Sequence, residues 1–332
     1  MGKTPIVNQL SAITASTALA CAFVGVLYTL PRSIRLLQRD NPAQIKARFA
    51  VLLVLCALTP YIVCYLLFGD FGSMGQTLLW LGIRADSIVT VSASVLLLAM
   101  LLFLGPLAEA ALDLVWERNH YWSSARGAWL PRPAPLSWSA VLQSTELATL
   151  AVPSVPAQAR LIAWRNFVVG PLTEEVVFRS AICALLLGAG ASTGDVVLHA
   201  PLYFGVAHAH HAWEKVREGM SLKHAVMGTV LQMSYTSLFG FFVTFVFVRT
   251  AHLLPLVLVH AFCNVMGLPP LSFMHKGHPQ HRHRLVLGVV YLFGIGAFVL
   301  GLYPLTDAAL LGLDRGTGAS LPWAAAAASI EN

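Results

Sequence analysis

The sequence predicts an all-α, polytopic integral membrane protein, a helical bundle of about eight transmembrane helices. Three observations support this prediction. Of 332 residues, 57% are hydrophobic and only 11% are charged, whereas a soluble domain carries about 25% charged residues. The mean hydropathy is +0.71. The apolar residues also form repeated runs, several of them near the roughly 20 residues that a helix needs to cross a bilayer. We therefore expect one multi-pass domain over residues 1–332.

Eight apolar segments account for the predicted crossings. They cover residues 8–30, 49–68, 87–107, 162–190, 195–210, 225–249, 252–270 and 285–305. A further apolar stretch at 78–83 is too short to span a bilayer. The fourth segment is interrupted by Gly170 and Pro171, which predict a break in its helix. We expect the catalytic core to occupy about residues 160–270 and the alanine-rich tail, about 311–332, to be weakly ordered.

Basic residues concentrate in the loops and predict the orientation of the bundle. The basic loops lie at residues 31–48, 108–160, 211–224 and 271–284. Eight crossings place all four loops on one side, which the positive-inside rule makes cytosolic. The net charge of +6 fits this topology and contact with anionic lipid. No basic patch with interleaved aromatic residues is present, so we expect no nucleic-acid partner.

The stretch from Gly170 to Arg179 places two adjacent glutamates and an arginine within an apolar segment. Ionisable groups at membrane depth are costly and persist when they pair, line a wet cavity or take part in chemistry. Thr173 is predicted to cap a helix that begins at Glu174. Glu175 and Arg179 are then i,i+4 neighbours that can pair. Glu174 points about 100° away, which predicts one structural glutamate and one that is free to act.

Two further pairs have the same spacing of four residues, Phe204 with His208 and His260 with Asn264. This spacing puts both members on one helix face. A carboxylate and an imidazole can hold and deprotonate a water molecule, and a second histidine with an amide suits a developing oxyanion. Together with Glu174 these residues could hydrolyse an amide without a side-chain nucleophile. Taken alone, His208 could be only an interfacial histidine at a helix end, and His260 with Asn264 could be only a polar contact between helices.

Several alternatives stay open at this point. No HExxH zinc motif is present, yet Glu174, His208 and His260 could form a zinc site, since two histidines and a glutamate are a known catalytic set. A non-catalytic membrane scaffold would also be compatible with the composition. A proton-relaying transporter would be favoured by inverted repeats, and the sequence contains none that we find.

The three motifs resemble those of a known superfamily. EEVVFR (174–179), FGVAH (204–208) and HAFCN (260–264) are similar to the EExxxR, FxxxH and HxxxN motifs of the CAAX protease and bacteriocin-processing superfamily. RDNPAQIKARF (39–49), SYTSLFG (234–240) and HAFCNVMGLP (260–269) look like the eukaryotic type II CAAX prenyl endopeptidases, the Ras-converting enzymes. The resemblance covers roughly residues 25–310 and fills every motif position.

The resemblance implies a membrane protease of the endoplasmic reticulum with its active site open to the cytosolic side. Such enzymes remove the last three residues of CaaX proteins, such as Ras-type small GTPases, after the cysteine has been farnesylated or geranylgeranylated. Carried over by position, Glu174 and His208 activate the water, and His260 and Asn264 form the oxyanion hole. The site-ordering or substrate-binding residues are Glu175, Arg179 and Phe204. The family is regarded as glutamate-dependent, so no metal or other cofactor is expected, with the zinc-dependent version as the alternative.

Overall fold

The computed structural model describes residues 3–124, 149–150, 155–217, 219–313 and 321–323. Every regular element within these ranges is a helix, which confirms the all-α prediction. Four of these helices are long and apolar enough to cross a membrane, and one bent pair provides a fifth candidate. The chain is thus a polytopic helical membrane protein, while the count of eight crossings stays a prediction.

Thirteen helices are numbered here in chain order over the described residues. They are α1 Gln9–Tyr28, α2 Arg32–Arg35, α3 Pro42–Phe68, α4 Met74–Trp80, α5 Ile88–Leu102, α6 Leu104–Ser124, α7 (157–188), α8 Thr193–Ala207, α9 His210–Arg217, α10 Leu222–Thr250, α11 Leu253–Met266, α12 Arg284–Gly301 and α13 Ala308–Leu311. The span candidates are α1, α3, α10 and α12, the last together with the 3₁₀ turn Pro279–His283 that precedes it. Helix α4 has seven residues, which agrees with the prediction that this stretch is too short to span.

Two predicted boundaries differ from the structure. Helix α3 begins at Pro42, because the side chain of Asn41 accepts a hydrogen bond from the N–H of Ala43 and caps the helix. The second predicted crossing therefore starts earlier, and part of the predicted basic loop is helical. The third predicted crossing, 87–107, is bent by 71° between α5 and α6. The rest of the predicted loop 108–160 lies largely outside the described residues.

Helix α7 is continuous, so the break predicted at Gly170 and Pro171 is wrong. It contains two π-helical turns, Arg165–Val169 and Val176–Ala181, on either side of the α-helical segment Gly170–Glu175. The N–H of Gly170 donates to the carbonyl of Arg165, five residues back. A Cβ on Gly170 would lie 2.5 Å from that carbonyl oxygen. The π turn thus requires glycine at position 170, and the helix continues past Pro171 without a break.

Thr173 is not a helix cap, contrary to the prediction. It is fully buried inside α7. Its hydroxyl donates within the helix to the carbonyls of Val169 at 2.8 Å and Gly170 at 3.1 Å. A threonine in a continuous helix can satisfy its hydroxyl on the preceding turn in this way, and the local sequence does not distinguish this arrangement from a cap.

Helices α8 and α10 pack closely because small residues line their contact. A Cβ on Gly205 would lie 2.4 Å from the Ser237 hydroxyl, and one on Gly240 would lie 2.9 Å from the Cβ of Pro201. A Cβ at Gly240 would press on the rigid Pro201 ring, and one at Gly205 would require the Ser237 hydroxyl to rotate away. This close approach brings the C-terminal half of α8, with Phe204, against the middle of α10.

Ion pairs define one end of the bundle. Arg48 in α3 pairs with Glu214 in α9 at 3.0 Å, and Arg165 in α7 pairs with Asp40 before α3 at 2.8 Å. The predicted basic loops around residues 31–48 and 211–224 therefore lie at the same end of the bundle. This agrees with the sidedness that their charges predict.

Different contacts define the opposite end. Lys3 pairs with Asp70 just after α3, and the Nε2–H of His252 donates to the carbonyl of Asp86 at 2.7 Å. The N-terminal segment, the loop before α5 and the turn between α10 and α11 therefore meet far from the basic loops. Helix α11 begins at this end and runs toward the other.

Part of the C-terminal tail packs on the bundle. Of the segment predicted to be weakly ordered, the structure describes residues 311–313 and 321–323. Trp323 is 5% exposed and lies against the rings of Trp80 and Phe247, at centroid distances of 6.1 and 5.6 Å. Its indole N–H donates to the carbonyl of Val248 at 3.2 Å. These described tail residues contribute to the apolar core.

Candidate active site

Helices α7, α8 and α11 bring the three sequence motifs together in one polar cluster. Glu175, on α7, is fully buried and lies at its centre. Its Oε1 atom lies 3.2 Å from Nη1 of Arg179 and accepts the Nδ1–H of His260 at 2.6 Å. The predicted pairing of Glu175 with Arg179 is confirmed. The structure adds a contact with α11 that no local sequence pattern predicts.

The Arg179 guanidinium is held between a carboxylate and two aromatic rings. Arg179 is fully buried, and its Cζ lies 4.0 Å from the ring centroid of Phe204 and 5.5 Å from that of Phe239. A cation over an aromatic face is stabilised more strongly when it is desolvated. Phe204 thereby links α8 to α7, and Phe239 adds α10 to the cluster.

Glu174 has different surroundings from its neighbour. Its side chain is 25% exposed, and its Oε2 lies 3.6 Å from Nε2 of His260. That distance is too long for a hydrogen bond, and among the described residues none donates a hydrogen bond to this carboxylate. His260 therefore lies between the two glutamates, bonded to Glu175 and facing Glu174. The predicted division between a paired and an unpaired glutamate agrees with this geometry.

His208 is the first residue after α8 and is half-buried. Its Nδ1–H donates to the carbonyl of Phe204 at 2.7 Å, and its ring lies edge-on to the Phe204 ring with centroids 4.6 Å apart. This donation leaves the Nε2 lone pair available as an acceptor. Glu174 is also close enough to interact electrostatically with His208.

Asn264 lies one turn beyond His260, at the more exposed end of the cluster. Its Nδ2 donates to the backbone carbonyl of Asn166 at 2.8 Å. Asn166 belongs to the first π turn of α7. One hydrogen of the amide is thus held by the backbone, which orients the group, while its second hydrogen stays available to donate elsewhere.

Two residues of this cluster belong to none of the three motifs. The Phe239 ring packs on His260 with centroids 4.8 Å apart, and Asn166 supplies the carbonyl that holds Asn264. Sequence reasoning gave neither residue a role in the chemistry. Asn166 carries a weak signal, since it is polar within an apolar segment, but a backbone contact to another helix leaves no trace in a sequence.

A second polar cluster adjoins the first at the start of α9. The rings of His208 and His211 lie 5.6 Å apart, and the Nδ1–H of His211 donates to Glu214 at 2.9 Å. Burial lowers the pKa of His210 to about 4. Burial opposes ionisation of Glu214, but the hydrogen bond from His211 and the charge of Arg48 outweigh it and lower the pKa of Glu214 to about 2.

The residues of the alternative zinc site are not arranged as a ready ligand set. Within the described parts of the chain, two groups of three residues bring ligand atoms within 4.8 Å of one another: His210, His211 and Glu214, and Glu109, Asp113 and His278. Glu174, His208 and His260 do not form such a group. A zinc ion held by these three residues would require their side chains to move.

The fold and the cluster define a class of protein. It is a polytopic helical membrane protein in which a partly exposed glutamate, two histidines and an amide converge beside a buried glutamate–arginine pair. Residues 156–266, which include all three motifs, match the family model described as type II CAAX prenyl endopeptidase Rce1-like.

Similarity to curated proteins extends beyond that region. The chain is 38% identical to human CAAX prenyl protease 2 over 299 residues, covering 89% of this chain and 81% of the human protein. Identity is 35% to the rat protein of the same name, over 91% and 84% of the two chains. It is 30% to the Arabidopsis thaliana protein, over 89% of each chain. No solved structure matches the chain. The chain belongs to the Rce1-like family of type II CAAX prenyl endopeptidases.

Proposed function

We propose that this protein is an intramembrane endopeptidase that removes the C-terminal aaX tripeptide from farnesylated or geranylgeranylated CaaX proteins. Three relatives that align with about nine-tenths of the chain carry the name CAAX prenyl protease 2, and that name supports the substrate class. Ras-type small GTPases are the proposed partners. The proposed location is the endoplasmic reticulum membrane, with the active site open to the cytosol.

One observation supports this chemistry most directly. The carboxylate of Glu174 is partly exposed, unbonded among the described residues, and faces Nε2 of His260 at 3.6 Å. A general base must reach a substrate or water with a free lone pair. Glu175 cannot take this role, because its carboxylate is fully buried away from any substrate and its Oε1 is engaged by Arg179 and His260. Glu174 is therefore the proposed base.

The first step is attack of water on the scissile carbonyl. Glu174 removes one proton from the water, and Nε2 of His208 accepts a hydrogen bond from its other hydrogen. The water oxygen bonds to the carbonyl carbon and the π electrons move onto the carbonyl oxygen. When the C–N bond breaks, the carboxyl of Glu174 delivers its proton to the leaving amine. No side-chain nucleophile and no covalent intermediate are needed.

Two donors are proposed to stabilise the oxyanion. Asn264 can donate the amide hydrogen that is not held by the carbonyl of Asn166. His260 donates Nδ1–H to Glu175, so it can donate to the oxyanion only when Nε2 also carries a proton. The imidazolium form meets this condition. Donors fixed in advance at the position of developing charge are among the largest contributions to catalysis.

The depth of the site suits a prenylated substrate. His260 is the eighth residue of α11, so it lies about 10 Å along the helix from its first residue. Asn264 is exposed, one turn closer to the end of the bundle that carries the basic loops. A prenyl chain partitions into lipid with about 0.8 kcal/mol per buried CH₂. A site between mid-bilayer and this end can receive a peptide whose prenyl group stays in the membrane.

The test uses membranes that contain either the wild-type chain or Glu174→Gln. Each is supplied with a farnesylated CaaX peptide, and tripeptide release is followed with and without a strong chelator. We expect wild-type cleavage to survive chelation. In Glu174→Gln we expect the cleavage rate to fall by at least about 100-fold, the lower end of the range for loss of a general base. Full activity of Glu174→Gln would exclude Glu174 as the base. Loss of wild-type activity on chelation, restored by zinc, would support the zinc-dependent mechanism instead.

A further inference from the structure

We propose that His210, His211 and Glu214, the α9 trio, bind one divalent transition-metal ion, for which Zn²⁺ has the most suitable chemistry. One donor atom from each residue lies within 4.8 Å of the other two, and all three side chains are half-buried. None of the three has a role in the proposed cleavage. The site is therefore separate from the mechanism and also from the zinc site considered for Glu174.

The donor set matches a known type of zinc site. Zinc is commonly bound by imidazole nitrogens together with a carboxylate, at about 2.0–2.2 Å. Histidines 210 and 211 are adjacent, and Glu214 lies one turn further along α9, so a single helix start presents all three. The ring centroids of the two histidines lie 4.1 Å apart.

The hydrogen bonds of His210 leave a nitrogen free for a metal. Its Nδ1–H donates to the backbone carbonyl of Ala207 at 2.5 Å. The Nε2 atom of this tautomer carries a lone pair. Metal-binding histidines usually donate their other ring N–H to a carbonyl or carboxylate in this manner, which fixes the ring orientation. His210 is therefore oriented as a ligand would be.

The carboxylate of the trio is held in place from outside. Arg48, on α3, donates to Oε1 of Glu214 at 3.0 Å, while Oε2 accepts the Nδ1–H of His211 at 2.9 Å. An ion bound at Nδ1 of His211 would take the place of that proton, which can move to Nε2 of the same ring. Arg48 can retain its bond to Oε1 and keep the carboxylate oriented.

The other ligand group in the described residues is less suited to a metal. His278 accepts the backbone N–H of Gln280 at Nδ1 with a distance of 3.2 Å, so its proton must lie on Nε2 and neither nitrogen has a free lone pair. Glu109 accepts from the Tyr291 hydroxyl at 3.0 Å, and Asp113 accepts from the Gln280 amide at 2.9 Å. This second group is an internal hydrogen-bond network and provides a control.

The experiment uses the full chain, purified in detergent without a polyhistidine tag and stripped of metal. Co²⁺ is titrated as a spectroscopic probe, since a site with nitrogen and oxygen ligands and low coordination gives visible absorption bands. Zn²⁺ is then added to displace it. We expect one Co²⁺ per chain, displaced by Zn²⁺, with Zn²⁺ raising the thermal unfolding midpoint of the chain because the ion binds the folded state.

Three variants identify the ligands. Glu214→Gln keeps the size of the side chain, and His210→Ala removes the imidazole. Each should weaken Co²⁺ binding by more than about 100-fold. Loss of a residue that only hydrogen-bonds a metal ligand already lowers metal affinity by about 10- to 100-fold. His278→Ala is the matched control and should bind as the wild type does. Unfolding midpoints without metal verify that each variant is folded.

Two outcomes would overturn the proposal. One is wild-type Co²⁺ affinity in both Glu214→Gln and His210→Ala. The other is loss of stoichiometric binding in His278→Ala, which would assign the ion to the second group. Binding is measured without substrate, so the result does not depend on the proposed protease function, and a metal-binding but inactive preparation would still support the site.

Discussion

At the scale of single residues, Glu174 and Glu175 have opposite surroundings although they are adjacent. Glu175 is fully buried, and its Oε1 contacts both Arg179 and His260, whereas a quarter of the Glu174 side chain is exposed. The neighbouring positions point in directions about 100° apart on the helix. Chemically identical carboxylates can therefore serve stability and chemistry separately.

This difference predicts unequal losses of stability for two conservative substitutions. Glu175→Gln leaves the charge of Arg179 buried without its partner, and breaking a buried ion pair in this way costs about 3–5 kcal/mol. Glu174→Gln should cost much less, because its carboxylate has no hydrogen-bond partner among the described residues. The thermal unfolding of both purified variants in detergent measures the difference.

A double variant provides the control for this prediction. Arg179→Met in the Glu175→Gln background removes the unpaired charge, so the double variant should recover part of the lost stability. Equal unfolding midpoints for Glu175→Gln and Glu174→Gln would contradict the assigned division between the two glutamates.

At the scale of elements, the two π turns of α7 determine where the site residues point. Each π turn adds a residue to one turn and shifts the register of everything beyond it. The turn at Arg165–Val169 also places the carbonyl of Asn166 where it holds the Asn264 amide. The helix thus orients the amide of α11 that is proposed to stabilise the oxyanion.

Gly170→Ala tests the first π turn. The added Cβ would lie 2.5 Å from the Arg165 carbonyl oxygen, so the turn must rearrange and displace the neighbouring Asn166 carbonyl. We expect cleavage of a farnesylated peptide to fall about 100-fold, a typical effect of misplacing a catalytic group by about 1 Å, with stability lowered by about 1–3 kcal/mol.

Gly25→Ala is the matched control for this substitution. Gly25 is also inside a helix, but a Cβ there would have no neighbour within 4 Å. Alanine should leave cleavage unchanged and stabilise the helix by about 0.5–1 kcal/mol. A similar loss of activity in both variants would mean that the effect of Gly170→Ala is not specific to the π turn.

At the scale of the whole molecule, the basic loops gathered at one end of the bundle predict that this end faces the cytosol. Met220 follows α9 at the basic end, and Phe71 follows α3 at the opposite end; both are exposed. In sealed microsomes, a membrane-impermeant thiol reagent should label Met220→Cys at once and Phe71→Cys only after permeabilisation. Labelling of both before permeabilisation, or the reverse pattern, would contradict the orientation. The wild-type chain, with five native cysteines, gives the background.

The sequence predicted well those features that depend on spacing and composition. The all-α membrane bundle, the pairing of Glu175 with Arg179 and the common location of two basic loops follow from hydropathy, helical period and loop charge. The π turns were missed, because Gly170 and Pro171 are ordinary signals of a helix break. The position of His260 between two glutamates is not predicted either. It depends on the packing of α11 against α7, and His260 lies 85 residues after Glu175 in the sequence.

The placement of the buried pair on one helix has a consequence for biosynthesis. Glu175 and Arg179 are one turn apart, so they can neutralise each other as soon as that helix leaves the ribosome and enters the translocon. A lone charge at the centre of an inserting helix costs about 2.5–3.5 kcal/mol on insertion scales. If the two partners were on different helices, the first to be synthesised would meet the lipid unpaired. Because they share α7, this segment can be integrated before the histidine of α11 has been translated.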